Sequence, residues 1–183
     1  VIYMETRGLG LAEIGFVQGV FLFGMVAAEL PTGYLADYLG RRRTLALGNA
    51  VTASVMTAFV FAATVTHFTA IYLLWAVAWT LRSGTSDAWL YELLEREGLD
   101  GEFARLSGRA ESVLLVVSAV SALVAGVLYT VDPVFPFTAN AAVAAVGLPI
   151  LFTLPQTQNA ENDEPPMTLR RAAPRLRGQF SRP

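Results

Sequence analysis

Five long runs of apolar residues, at 14–35, 45–65, 68–94, 112–131 and 134–154, divide the chain, with short polar segments between them. A hydrocarbon core is crossed by roughly 20 apolar residues in helical form, so each run is long enough to span a bilayer. The runs are continuous and do not alternate, which predicts helices, because a membrane barrel would show short segments of period two. The predicted fold is therefore all-α, a polytopic membrane helix bundle over residues 14–154 with five visible transmembrane helices. Residues 1–13 read as the outer end of a helix already begun and its loop, so that five spans imply a bundle of six. Residues 155–183 carry prolines, an acidic stretch at 161–164 and then arginines; that composition predicts a flexible linker, with anionic-lipid contact as the other reading.

Composition sharpens this picture at two points. The chain is 54% hydrophobic and only 15% charged, against about 25% charged in soluble domains, so the lipid bilayer is its expected surroundings. A formal net charge of -2 speaks against a nucleic-acid partner, which favours a strongly basic face.

Every basic side chain is arginine, and the positions of these residues orient the helices. With Arg41, Arg42 and Arg43 in the cytoplasm, five crossings put Arg96, Arg105, Arg109 and the arginines of the tail on that same side. Arg7 alone falls opposite, and the links around His67 and Asp132 carry no arginine. The bias agrees with the rule that cytoplasmic loops hold the positive charge, so 36–44 and 155–183 are expected to be cytoplasmic in a multi-pass plasma-membrane protein.

The first two spans are joined by Gly33-Tyr34-Leu35-Ala36-Asp37-Tyr38-Leu39-Gly40-Arg41-Arg42-Arg43-Thr44-Leu45. Gly33 permits close approach of another helix, Gly40 permits a tight turn with positive φ, and Asp37 offers an acceptor that can cap a helix N-terminus. This segment resembles the signature loop of the major facilitator superfamily, G-x-L-A-D-R-x-G-R-K-x-x-L, which joins that family's second and third helices. Gly33, Leu35, Ala36, Asp37, Gly40, Arg41 and Leu45 match in register, while Tyr38 stands in place of arginine and Arg42 in place of lysine. The resemblance implies helices two to six of a twelve-helix protein, with a C-terminal half of the same chain as partner and two bundles rocking about a midplane site. It also implies a conformational latch at Gly33, Leu35, Ala36, Asp37, Gly40, Arg41 and Arg42, with Arg41 paired to an acid at the inner end of helix four. Of Asp87 and Glu92, the deeper Asp87 is the expected partner.

Charges within the spans are costly unless partnered. At about 1.5 Å per residue, Arg82 lies roughly 21 Å and Asp87 roughly 28 Å from the start of their span, and Glu29 roughly 23 Å along the first. Arg82 and Asp87 point about 140° apart on one helix, so each is expected to find a separate partner. The similar depth of Glu29 and Arg82 suggests an interhelical ion pair, acting either as a latch or proton-linked switch or only as packing. Gln18, Asn49 and Asn140 are candidate cavity or interhelical polar groups. Gly15 with Gly19, and Ser118, Ala122 and Gly126, form small-residue faces suited to close packing.

No cofactor is expected. An intramembrane enzyme would need a nucleophile and base or a metal cluster at depth, whereas His67 is the only histidine and cysteine is absent. The expected function is secondary active transport of a small solute by alternating access, with a proton or another ion as possible coupling partner. The alternative is a non-transporting scaffold or receptor on the same fold. Substrate and direction are not legible in these residues.

Overall fold

The computed structural model describes residues 1–154; the expected linker at 155–183 lies outside the described residues. A short helix α1 (Ile2–Thr6) is followed by α2 (Leu11–Leu39), α3 (Arg41–Phe61), α4 (Val65–Arg96), α5 (Phe103–Val131) and α6 (Phe135–Thr153). No strand occurs among the described residues. The protein is an all-α bundle. By length and composition α2, α3, α6 and α5 with the turn before it (Asp100–Val131) can cross a membrane. The polar side chains of α4, among them His67, Arg82 and Asp87, keep it out of that group, although it is the longest helix.

Local signals set the helix ends. The Gly10 N–H donates to Glu13 Oε2 at 2.8 Å, so the carboxylate satisfies a donor that the first turn of α2 leaves open. Gly40 has φ +85, and its N–H closes the last turn of α2 on the Ala36 carbonyl at 3.0 Å. One residue in this conformation ends α2 and lets α3 begin at Arg41, which a side chain at that position would strain. Pro31 sits inside α2, where it removes one backbone donor; the next residue, Thr32, turns its hydroxyl to the Ala28 carbonyl at 2.7 Å. Thr64 caps α4 by accepting from the His67 N–H at 3.3 Å. That places His67 in the first turn of α4 and the α3–α4 link at 62–64, earlier than the expected link near 66 and 67. Helix α4 closes with Gly98 at φ +68 and the Leu99 N–H on the Leu94 carbonyl at 2.8 Å, a pattern that satisfies terminal carbonyls.

Helix α4 lies between α2 and α3, and α3 between α4 and α6. Two glycines allow the close approaches. A Cβ on Gly24 would stand 3.2 Å from Ala76 Cβ, and one on Gly48 would stand 2.8 Å from Arg82 Cγ. Among the described residues nothing lies within 4 Å of a Cβ built on Gly15, Gly19 or Gly126, three members of the small-residue faces. Among the described residues, helix α5 touches its neighbours lightly and buries none of its own side chains. At the end away from the α2–α3 turn, Tyr3, Phe59, Phe68, Tyr72 and Phe137 form an aromatic core that anchors α1. Tyr3 donates its hydroxyl to the Phe59 carbonyl at 3.1 Å and accepts from Arg7 Nη2 at 2.6 Å.

Candidate functional site

Residues four apart share one face of a helix, and on α2 the series Glu29, Gly33, Asp37 lies along one face. That face borders a groove of about 490 Å³ between α2 and α4, whose other side is formed by Thr80, Ser83, Gly84 and Thr85. Among the described residues, nothing lies within 4 Å of a Cβ built on Gly33 or Gly84. The groove is open where a neighbouring helix could approach closely.

At the turn end of the groove, Arg41 holds two carboxylates. Its Nη1 is 3.1 Å from Asp37 Oδ1 and its Nε is 3.1 Å from Glu92 Oε1. Arg41 and Glu92 are mostly covered, at 18% and 23% side-chain exposure, while Asp37 at 56% faces outward. The guanidinium therefore ties the end of α2, the start of α3 and the end of α4 into one cluster. The other Glu92 oxygen, Oε2, is buried without a hydrogen bond among the described residues. Ala36 is buried and Leu35 partly so. Arg42 points the other way: its Nη1 donates to the Leu154 carbonyl at 3.3 Å and lies 3.5 Å from the Phe152 carbonyl. A cation at the C-terminal carbonyls of α6 answers the negative end of that helix.

Two expectations are corrected. The partner of Arg41 is Glu92 and not Asp87: five residues apart on α4, the two carboxylates face different neighbours, and Asp87 borders a second cavity. Glu29 and Arg82 form no ion pair. Glu29 borders the α2–α4 groove, whereas Arg82 turns toward α3, donating to Thr52 Oγ1 at 3.4 Å. Equal depth does not bring two charges together when a helix puts them on opposite flanks.

The second cavity, about 660 Å³, runs between the turn-end halves of α3, α4, α5 and α6 and is bordered by Asn49, Arg82, Asp87 and Glu111. A third, about 280 Å³, continues along the same four helices at the other end, bordered by Tyr3, Trp75, Phe137 and Asn140. Asn49 donates to the Ala144 carbonyl of α6, so it joins helices as well as facing a cavity. Gln18 is half-buried on α2 and borders none of these three cavities. Glu92 was weighed from the sequence as the second candidate for Arg41, whereas the link from Arg42 to α6 was not singled out; both groups stand at the turn end of their helices, and that shared level was the available signal. No group of three or more metal-ligating side chains occurs among the described residues.

Comparison with curated proteins and with solved structures finds no match. The sequence model of the Major Facilitator Superfamily matches the chain over residues 1–183. With the glycine-turned α2–α3 junction, the matched signature residues and the bundle of long apolar helices, the chain belongs to the major facilitator superfamily of membrane transporters.

Proposed function

We propose that the chain is most of one six-helix half of a secondary active transporter, which moves a small solute by alternating access against a second half. The observation that carries this reading is the Arg41 cluster at the mouth of the open α2–α4 groove. A charge-tied end beside a groove in which Gly33 and Gly84 present no side chain suits reversible docking of a helix. Gly33 and Asp37 meet that helix when the groove is closed and lose it when the groove opens, so the groove acts as the latch of the cycle. Helix α4 crosses the bilayer with its neighbours, since it is packed between α2 and α3. Arg41, Arg42, Arg43, Arg96 and Arg105 gather at one end of the bundle, which supports a cytoplasmic α2–α3 turn in the plasma membrane.

The complete transporter in proteoliposomes tests this reading. Uptake of the transported solute should saturate, and solute loaded on the far side should accelerate it, because a carrier returns faster when loaded. Uptake that is linear with concentration and indifferent to the far side would indicate a pore, and no uptake of any solute class would contradict transport.

A further inference from the structure

Resting on the latch reading, we propose that the helix which docks in the α2–α4 groove carries a basic side chain at the level of Glu29, and that this interhelical ion pair holds the groove closed. Glu29 precedes the matched signature segment, which begins at Gly33, so the pairing belongs to this chain's own sequence. Among the described residues, Glu29, Asp37 and Arg41 are the charged side chains bordering the groove, whereas α4 contributes the neutral Thr80, Ser83, Gly84 and Thr85.

The groove is short of one cation. Arg41 contacts Asp37 and Glu92 at 3.1 Å each, so one positive charge already answers two negative ones. Glu29 stands eight residues before Asp37 on the same face, about 12 Å by helical rise, and makes no ion pair among the described residues. The cation of α4 at its depth, Arg82, lies on the flank that meets α3. Neutral donors are scarce as well. Thr32 Oγ1 donates to the Ala28 carbonyl at 2.7 Å, and Thr80 Oγ1 to the Ala76 and Val77 carbonyls at 3.2 and 3.1 Å, so both hydroxyl protons are spent within their own helices.

Glu29 is exposed on the open face, where water solvates it. A helix seated over Gly33 and Gly84 expels that water, and a carboxylate without a partner is costly within the bilayer. A lysine or arginine on the incoming helix converts that cost into a contact made only in the closed state. Gly33, one turn from Glu29, and Gly84 across the groove let the two backbones come close, which brings a long basic side chain within reach of the carboxylate. The groove therefore selects its occupant by charge as well as by shape, since a helix bearing an acid at this level would be repelled.

Labelling of Ser83→Cys in the complete transporter by a membrane-impermeant maleimide reads groove opening, with the Gly33→Leu protein marking the fully open rate. Because Glu29 is exposed and makes no ion pair within this half, changing it removes no packing contact. Glu29→Gln should shift the closing equilibrium toward open by about tenfold or more, Glu29→Lys should shift it further, and Glu29→Asp should keep most of the protection. In the Glu29→Lys background, each basic residue in the spans of the second half is then changed in turn to glutamate, and one such reversal should restore both protection and uptake. A Glu29→Gln protein as well protected as its parent overturns the proposal, and so does the failure of every reversal to restore protection. If Gly33→Leu itself leaves labelling unchanged, the latch reading fails and this inference fails with it, an outcome distinct from the other two.

Discussion

Arg41 Nε lies 3.1 Å from Glu92 Oε1 across 51 residues of sequence, and through this contact the first residue of α3 grips the last turns of α4. Arg41 also holds Asp37, so one guanidinium fixes the end of the bundle from which the groove opens.

Removing Arg41 leaves Glu92, already with one oxygen unpaired, without its cation. Arg41→Ala should destabilise the protein by about 2 to 3 kcal/mol, below the range for a fully buried pair because both side chains keep some exposure. Glu92→Ala should cost less. Unfolding in mixed micelles gives both values, and the double variant should lose much less than their sum.

Glu29 and Arg82 provide the opposite case. Because they flank α4 on different sides, the stability effects of Glu29→Gln and Arg82→Gln should add to within about 0.5 kcal/mol. A larger coupling in the same unfolding assay would restore the ion pair that the geometry separates.

Gly48 sits where a Cβ would come within 2.8 Å of Arg82 Cγ and 3.2 Å of Leu81 Cβ. Gly48→Ala should cost about 1 to 2 kcal/mol by overpacking the α3–α4 contact, with Gly48→Val worse. Gly126→Ala, at an open position, should be close to neutral.

Arg42 meets the terminal carbonyls of α6. Arg42→Gln should loosen that end by about 0.5 to 1 kcal/mol, the usual worth of a cation at a helix C-terminus. Faster hydrogen exchange in the last turn of α6, with α3 unchanged, would register it.

Much of the fold is legible because a bilayer demands long apolar runs and self-satisfied backbones, and the α2–α3 turn because Gly40 and its arginines have few other uses. Helix ends are less legible. Helix α5 begins at Phe103 and not near 112, because a helix continues past the hydrocarbon through Arg105, Arg109 and Glu111, and hydropathy marks the apolar part alone. The site was legible to the level of residues sharing a depth. Which flank a side chain takes depends on the neighbours of its helix, and no run of residues states that α4 lies between α2 and α3. Thus Asp87 and Glu92 were separable only once α3 was in place, and Glu29 was matched with a cation on the wrong flank.

In the proposed cycle the α2–α4 groove opens and closes during transport. Maleimide labelling of Ser83→Cys in the complete transporter, compared with the same reporter carrying Gly33→Leu, is the test of that motion. Ser83 should be partly protected, and Gly33→Leu should abolish both the protection and solute uptake. Equal labelling in both proteins, with uptake intact, would show that nothing docks in the groove and that the latch does not exist.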